Sequence, residues 1–349
     1  MTKNPPESCT TFEEISPMGS TGTRQLEILR VLKENEGNFV SGESLAEILG
    51  ISRPGVWKHI NKLKQMGYEI QSQSGLGYKL AAVPDSLARE EIVPNLKTRW
   101  LAHSYHYLRT VGSTNDYALL LAAEGAPHGT LVVAEEQTEG RGRLRREWIS
   151  YPNRGIYLSI LLRNPLPVRV APQSTYIGSL ALVKMLREEF GLAASIKWPN
   201  DVLINGRKAA GILTETQSDQ DYSRFSVMGI GINVNHKRED MAGHFRYPAT
   251  SIAIEAGFPV KRQRVLLQFL DQFERSYDHF LQKGLSPLIP EIEAHSGILG
   301  KIITVVCGDR EITGKAKGLT PEGALLLLAE DQSQEVVWVG DVSRVEGAT

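Results

Sequence analysis

Residues 140–148 read Gly-Arg-Gly-Arg-Leu-Arg-Arg-Glu-Trp, a basic loop between two β-like runs at residues 130–135 and 155–163. Its glycines let the backbone bend so that successive N–H groups point at one anion. Its arginines add planar, permanently charged groups that bind carboxylate or phosphate. A solvated surface loop is the alternative interpretation. The alternation of glycine and arginine, and the closing Trp148, which offers a face to a flat ring, favour a binding loop.

The residues on either side of this loop predict a central α/β domain over residues 100–298. A strand at 105–111 runs into Gly-Ser-Thr-Asn at residues 112–115, where a helix begins. Ser113 and Thr114 suit a helix cap, but spare hydroxyl groups at a helix N-terminus also suit a polar ligand. The other predicted elements of the domain are strands at 194–196 and 226–235 and helices at 115–124, 172–190 and 262–281.

A second polar stretch, Lys-Trp-Pro-Asn-Asp at residues 197–201, predicts a sharp bend between two strands. A plain turn is the alternative, but its lysine and aspartate bracket the bend, and Lys208 follows on the next strand. Gly229 and Gly231 lie inside a later strand, where glycine permits another group to approach the backbone closely. They are not a dinucleotide-binding fingerprint, because no helix follows them.

Residues 22–83 predict a winged helix-turn-helix domain. Apolar spacing predicts helices at 24–34 and 41–50 and a third helix capped by Ser52, and an alternating stretch at 69–80 predicts a two-stranded wing. Such units also serve as packing modules, but the outward residues of the third helix favour DNA binding. The candidate DNA-binding residues are Arg53, Lys58, Asn61, Lys62 and Lys64.

Three further segments complete the chain. Residues 1–21 are polar and rich in Ser, Thr, Pro and Glu, which predicts a disordered tail. Residues 84–99 contain Pro84 and Pro94 and predict a linker. Residues 299–349 hold short β-like runs separated by turns, which predict a small SH3-like β-barrel.

The composition of the 349 residues is that of an ordinary globular protein, with 41% hydrophobic and 23% charged residues. The formal net charge is −1, so a contact with nucleic acid must come from a local patch. The two cysteines make neither a disulfide framework nor a metal-ligand pattern. The sequence has no apolar run that spans a bilayer and no signal peptide, so we expect a cytoplasmic protein without membrane contact.

Taken in order, these motifs resemble those of the biotin protein ligases, of the bifunctional kind that also represses biotin-biosynthesis genes. The resemblance covers nearly everything after residue 22. One position departs from it, because Arg145 stands where the family usually has glycine. The motifs that carry the resemblance are Gly-Ser-Thr-Asn at 112–115, Gln137, Gly-Arg-Gly-Arg at 140–143 with Arg146 and Trp148, Lys-Trp-Pro-Asn-Asp at 197–201, Lys-Ala-Ala-Gly-Ile-Leu at 208–213 and Gly-Ile-Gly-Ile-Asn at 229–233.

The resemblance implies a fold and a reaction. The fold is a multidomain α+β protein with a winged helix-turn-helix, a mixed-sheet α/β domain like that of class II aminoacyl-tRNA synthetases, and an SH3-like barrel. The reaction uses ATP to activate biotin as biotinyl-5′-AMP and transfers the biotinyl group to a lysine of the biotin carboxyl carrier protein of acetyl-CoA carboxylase. The implied accompaniments are Mg²⁺ bound with ATP, operator DNA, and a homodimer that forms when the adenylate binds.

The resemblance also implies roles for particular residues. Arg143, Lys208 and Asp201 are the implied catalytic residues, with Asp201 orienting either a Mg²⁺-bound water or the incoming lysine. No residue is implied as a ligand of a resident metal. The implied ATP-binding residues are Arg146, Trp148, Asn200 and Asn233. The implied biotin-binding residues are Ser113, Thr114, Asn115, Gln137, Gly140, Arg141, Gly142, Arg143 and Lys208.

Two alternatives remain, one from another functional class and one from a related ligase. A ligand-sensing transcription regulator without ligase activity has the same N-terminal domain, but it does not need Arg143, Lys208 and Asp201 together. A lipoate ligase shares the central fold. The complete Gly-Arg-Gly-Arg motif and the DNA-binding domain favour the biotin ligase over the lipoate ligase.

Overall fold

The computed structural model describes residues 20–241 and 247–345. The chain divides into two compact units, residues 1–86 and residues 87–349. Most of the predicted disordered tail, residues 1–19, lies outside the described residues, whereas Ser20 and Thr21 belong to the first helix. Within the described part of the chain, every helix is too short or too polar to cross a membrane.

The described residues of the N-terminal unit, 20–86, form three helices and one hairpin. Its elements are α1 (Ser20–Glu34), α2 (Gly42–Leu49), α3 (Arg53–Gln65), β1 (Glu69–Gln73) and β2 (Gly77–Ala82). Ser41 caps α2 and Ser52 caps α3, because each hydroxyl oxygen accepts a backbone N–H of the first helical turn. Apolar side chains of the three helices form the core of this unit. The predicted helix-turn-helix is therefore present, followed by an antiparallel hairpin.

The predicted linker at residues 84–99 is wrong from Leu87 onward. Leu87 and Ile92 are fully buried in the core of the larger unit, and a short helix, α4 (Arg89–Ile92), lies between Leu87 and Pro94. The two prolines indicated a linker, but the apolar side chains between them find a core to pack against, and burial of that surface stabilises the ordered segment.

A mixed sheet of seven strands forms the centre of the larger unit, in the order β3-β4-β5-β9-β8-β7-β6. Only β3 and β4 run parallel to each other, and the remaining neighbours are antiparallel. The strands are β3 (Tyr105–Val111), β4 (Leu131–Gln137), β5 (Gly155–Leu162), β6 (Ala194–Lys197), β7 (Asp201–Ile204), β8 (Arg207–Ser218) and β9 (Ser223–Asn233).

Helices cover both faces of this sheet, which explains why β4 and β5 are largely apolar and buried. The helix α5 (Thr114–Ala123) packs on β4, β5 and β9 around one apolar cluster. The helices α6 (Ser174–Phe190) and α8 (Arg262–Lys283) pack on each other and on the sheet within the main core. Two short helices, α7 (Ile252–Ala256) and α9 (Ile289–Ala294), flank α8 in sequence.

The C-terminal part is an antiparallel sheet of five strands in the order β13-β12-β11-β10-β14. Its apolar side chains join the main core, so this sheet and the central sheet form one unit. The last strand, β14, was not predicted, because its start was interpreted only as a turn. The strands are β10 (Ile302–Cys307), β11 (Arg310–Leu319), β12 (Leu325–Leu328), β13 (Gln334–Val337) and β14 (Asp341–Val345).

Candidate functional site

One cavity of about 210 Å³ gathers almost all the residues that the sequence predicted for the site of the central domain. Gly140 is the exception, and it packs behind the cavity, where a Cβ atom would lie 2.4 Å from Trp148 O. The predicted residues that line the cavity are Ser113, Thr114, Asn115, Gln137, Arg141, Gly142, Arg143, Arg146, Trp148, Asn200, Asp201, Lys208 and Asn233.

Four uncharged side chains of this cavity, Ser113, Thr114, Asn115 and Gln137, form what we call the neutral cluster. Gln137 Oε1 accepts hydrogen bonds from the backbone N and from Oγ1 of Thr114, at 2.9 and 3.0 Å. Ser113 precedes α5 without making a side-chain capping bond, so its hydroxyl is available to a ligand in the cavity that it lines. The cluster offers polar groups without charge, which suits a neutral heterocycle.

Asn115 of the neutral cluster is itself fully used by protein partners. Its Nδ2 donates to Glu215 Oε2 at 2.6 Å and lies 3.4 Å from Leu213 O. Its Oδ1 lies 2.6 Å from the Ser159 hydroxyl. A Cβ atom on Gly229 would lie 2.3 Å from Asn115 Oδ1, so glycine is required for this close approach, as the sequence predicted. Asn115 therefore shapes the wall and has no free amide group for a ligand.

Six of the charged side chains that line the cavity, Arg143, Arg146, Lys197, Asp201, Lys208 and Asp341, form what we call the charged cluster. Lys208 Nζ lies 2.5 Å from Asp201 Oδ1, and Lys197 Nζ lies 3.6 Å from Asp201 Oδ2. Asp201 and Lys208 reach each other because β7 and β8 are neighbouring strands. Burial lowers the pKa of Lys197, and the carboxylate of Asp201 partly opposes that shift.

The loop arginines meet a residue of the C-terminal sheet that the sequence did not single out. Asp341 Oδ1 lies 3.1 Å from Arg143 NH1, and Asp341 Oδ2 lies 2.5 Å from Arg146 NH2. Arg143 also donates to Gly340 O at 3.1 Å and to Asn200 Oδ1 at 3.3 Å. The sequence offers no signal for this contact, because Gly340 and Asp341 have the pattern of an ordinary turn almost 200 residues beyond the loop.

Trp148 closes the loop by lying flat on the sheet. A Cβ atom on Gly231 would lie 2.2 Å from Trp148 Cε2, and one on Gly211 would lie 3.0 Å from Trp148 Cζ3. These two glycines, on neighbouring strands, are therefore needed to admit the indole. Lys208 Nζ lies 5.4 Å from the centre of the ring, within the range of a cation–π contact.

The predicted DNA-binding residues lie on the exposed side of α3, away from its buried stripe of Val56, Ile60 and Leu63. Lys58 and Lys62 are exposed, whereas Asn61 is partly exposed. Arg53 is paired with Glu43 at 2.6 Å, and Lys64 donates to Ser72 of the hairpin at 3.1 Å. Trp57 is 61% exposed on the same side. The sequence reading did not select Trp57, because its spacing alone is compatible with a core position.

Comparison with known proteins places these features in a family. Residues 107–233 match the model of the biotin/lipoate A/B protein ligase family, residues 24–79 match an HTH domain, and residues 298–345 match the biotin protein ligase C-terminal domain. The chain is 36% identical over 314 residues to the bifunctional ligase/repressor BirA of Bacillus spizizenii, covering 90% of this chain and 97% of that protein. The chain belongs to the biotin/lipoate A/B protein ligase family.

Other members of the family extend the comparison. The chain is 30% identical over 292 residues to the bifunctional ligase/repressor BirA of Escherichia coli, covering 83% of this chain and 88% of that protein. Among solved structures, the biotin protein ligase of Aquifex aeolicus in complex with biotin and ATP superposes with a TM-score of 0.60 at 30% identity. The match covers 69% of this chain and 97% of that chain.

The backbone of the loop is strained at Arg145, the position where the sequence resemblance implied glycine. Leu144 and Arg145 both adopt the left-handed conformation, with φ of 55° and 54°. Glycine adopts this conformation freely, whereas other residues are strained there by roughly 1–2 kcal/mol. Neither side chain lines the cavity. The departure at Arg145 therefore affects the backbone of the loop and leaves the lining of the cavity unchanged.

No group of three or more acidic, histidine or cysteine side chains among the described residues is arranged to hold a metal ion. The two carboxylates of the charged cluster are already paired, Asp201 with lysines and Asp341 with arginines. The residues present therefore do not fit a resident metal.

Proposed function

We propose that this protein is a ligase that uses ATP to activate biotin as biotinyl-5′-AMP and then transfers the biotinyl group to a lysine of a biotin carboxyl carrier protein. The observation that carries the proposal is that the neutral and charged clusters line one cavity. Biotin itself has a neutral ureido ring and a carboxylate, so it needs both kinds of surface. The names of the relatives, bifunctional ligase/repressor and biotin protein ligase, support the same function.

The neutral cluster binds the ring of biotin in this proposal. Ser113, Thr114 and Gln137 supply hydroxyl and amide groups, and the backbone of Arg141 supplies an N–H group at the loop. The Gly142 N–H already donates to Arg146 O at 2.7 Å, and Gly140 packs behind the cavity. A site built from such polar groups rejects analogues that lack the matching partners, because the unmatched groups would be left buried and unpaired. Lipoate has no ureido ring, so this cluster favours biotin over lipoate.

The charged cluster carries out the first half-reaction. A biotin carboxylate oxygen attacks the α-phosphorus of ATP, the new P–O bond forms, and the bond to the β-phosphate oxygen breaks with release of pyrophosphate. Lys208 and Arg143 balance negative charge on the reacting carboxylate and α-phosphate, and Arg146 binds the phosphates of ATP. Trp148, Asn200 and Asn233 complete the nucleotide site. This chemistry depends mainly on positioning and charge balance, for which fixed cations are suited.

The second half-reaction uses an amine of the carrier protein. The lysine amine attacks the acyl carbon of the adenylate, an amide forms, and AMP leaves with the electrons of the cleaved bond. Asp201, held between two lysines, orients the incoming amine in this proposal. Mg²⁺ that accompanies ATP would lower the charge on the phosphates when bound.

The N-terminal unit serves as the DNA-binding domain of a biotin-responsive repressor. We assign residues 22–83 to a winged helix-turn-helix, residues 100–298 to a catalytic domain like that of class II aminoacyl-tRNA synthetases, and residues 299–349 to an SH3-like barrel. The exposed lysines of α3 support contact with DNA phosphates. A homodimer formed with the adenylate would place two copies of α3 on a palindromic operator.

Biotin-dependent exchange of pyrophosphate into ATP tests the ligase directly. We expect exchange with biotin and not with lipoate, followed by labelling of a carrier domain. Exchange with lipoate alone would identify a lipoate ligase, and no exchange with either acid would leave a regulator without ligase activity. For the repressor function, we expect biotin and ATP to strengthen binding to DNA from upstream of biotin-synthesis genes, and Lys58→Ala with Lys62→Ala to weaken it.

A further inference from the structure

Glu215, on β8, stands behind the cavity wall and contacts two residues that line it. Its Oε2 accepts a hydrogen bond from Asn115 Nδ2 at 2.6 Å, and both its carboxylate oxygens lie 3.2 Å from Arg141 NH2. Its side chain is 34% exposed, and it does not itself line the cavity. Glu215 therefore acts on a ligand only through Asn115 and Arg141.

The first contact fixes the orientation of Asn115. A carboxylate can face only the NH₂ end of an amide, and the Ser159 hydroxyl donates to the other end at 2.6 Å. Ser159 Oγ also lies 2.8 Å from Thr114 Oγ1, which in turn bonds Gln137. Asn115 and Thr114 therefore both contact the Ser159 hydroxyl, whose single proton serves Asn115.

The second contact fixes the start of the loop at residues 140–148. Arg141 donates to both carboxylate oxygens of Asp116 at 2.5 and 2.6 Å, and also to Glu215. The Asp116 side chain is 50% exposed, so water screens its pair with Arg141 more strongly. Glu215 is the better shielded carboxylate, and it alone of the two also holds the neutral cluster through Asn115.

We propose that Glu215 is a positioning residue that holds the neutral cluster and the loop at residues 140–148 in one arrangement, and that it thereby sets the affinity for biotin. The proposal rests on the proposed function of the cavity. It assigns to Glu215 an effect on biotin binding that is separate from the effect of the charged cluster on ATP and on the chemical step.

The test is steady-state pyrophosphate exchange by the full-length protein with biotin and ATP varied separately. For Glu215→Ala we expect the KM for biotin to rise about tenfold, because the variant loses one hydrogen bond to a charged group. We expect kcat and the KM for ATP to stay within about twofold, because the charged cluster is untouched. For Glu215→Gln we expect a rise of about threefold, because the amide oxygen still accepts from Asn115 while the charge opposite Arg141 is lost.

Two comparison variants separate positioning from a general loss of charge. Glu335→Gln removes a carboxylate of similar exposure that pairs with Arg310 at 2.9 Å in the C-terminal sheet, and we expect wild-type constants. Asp116→Asn removes the exposed partner of Arg141, and we expect a smaller rise in the KM for biotin than Glu215→Ala gives. In an Asn115→Ala background, Glu215→Ala should raise the KM for biotin by less than half of its effect in the wild type, because the shared hydrogen bond is already gone.

The outcomes distinguish this inference from the proposed function. Absence of biotin-dependent exchange in the wild type would overturn the proposed function. A wild type that exchanges, with a Glu215→Ala variant whose KM for biotin is unchanged, would overturn the positioning role alone. Equal rises in the KM for biotin and for ATP, or a fall in kcat alone, would also overturn it. If Glu215→Ala does not fold, as judged by thermal unfolding, the isosteric Glu215→Gln decides, and an unchanged KM for biotin in that variant refutes the role.

Discussion

In the neutral cluster the side chains hydrogen-bond to one another and to the protein, whereas in the charged cluster four cations share two carboxylates. Thr114, Asn115 and Gln137 are held at 2.6–3.0 Å by protein partners. In the charged cluster, Asp201 faces two lysines and Asp341 faces two arginines, which leaves an excess of two positive charges over these six residues. In the neutral cluster most polar groups already have protein partners, whereas the charged cluster keeps a positive excess that an anion can balance.

This difference teaches how one cavity separates recognition from reaction. Polar groups that already have hydrogen-bond partners and fixed positions recognise a ring by its shape and through the few donors and acceptors that still lack a partner. Groups with unbalanced charge favour the state in which negative charge accumulates, which is the condition for catalysis. Changes in the neutral cluster should therefore affect the KM for biotin, and changes in the charged cluster should affect adenylation and retention of the adenylate.

Removal of Lys208 should have the largest effect. Lys208→Ala leaves Asp201 with only the more distant Lys197 and removes charge balance at the reacting carboxylate. We expect adenylation to fall by roughly 10²–10³-fold, the usual effect of losing one electrostatic contact in a transition state. Pyrophosphate exchange measures this. Lys184→Ala is the control, because Lys184 pairs with Glu291 and does not line the cavity. Wild-type pyrophosphate exchange by the Lys208→Ala variant would show that Lys208 takes no part in the reaction.

Arg143→Gly should have the next largest effect. It should change the retention of the adenylate more than the rate of adenylation. The guanidinium is expected to bind the phosphate of biotinyl-5′-AMP while Asn200 and Gly340 hold the arginine in place. We expect the adenylate to dissociate roughly ten- to a hundredfold faster, from the loss of about 1.5–3 kcal/mol. The measurement is the dissociation rate of the adenylate, together with labelling of lysines on a bystander protein. Equal dissociation rates for wild type and variant would contradict the assignment.

Asp341→Asn tests the contribution of the C-terminal sheet. Without the carboxylate, Arg143 and Arg146 repel each other and lose their tie to β14, so we expect the KM for ATP to rise about three- to tenfold, or about 1 kcal/mol. The KM for biotin should not change, because the neutral cluster has no contact with Asp341 in the described residues. Asp331→Asn is a control in the turn between β12 and β13, since among the described residues Asp331 bonds Ser333 of the same turn. A lower KM for ATP would show instead that Asp341 competes with the phosphates.

Arg145→Gly should have the smallest effect. Glycine relieves the strain of φ 54°, but it also gives the unfolded chain more freedom, and the two contributions nearly cancel. We expect the free energy of unfolding to change by less than about 1 kcal/mol and the adenylate to be retained as in the wild type. Thermal unfolding and the adenylate dissociation rate measure these two quantities. Faster dissociation would mean that Arg145 holds the loop closed.

The sequence predicted the strands well where the pattern was local, whereas the roles of the site residues stay predictions. The strand at Tyr105–Val111 was predicted with its observed limits, and most other elements were within three residues. The motifs from Ser113 to Lys208 gave the cavity lining because each lies at the end of a regular element. Asp341 and Glu215 were missed, since each meets its arginine across a long stretch of chain that no spacing rule connects. The linker was mispredicted because a proline indicates the conformation of the backbone and does not indicate whether the neighbouring side chains are buried.

Trp148 and Gly231 should behave as a linked pair in a randomised library. Since any side chain at residue 231 would collide with the indole, alanine at 231 should survive selection mainly in clones that carry a smaller residue at 148. The same clones would open a flat apolar slot over β8 and β9. Because Trp148 belongs to the proposed nucleotide site, such a slot would accept nucleotides with bulkier bases, so the pair marks the position from which an altered nucleotide range can be engineered.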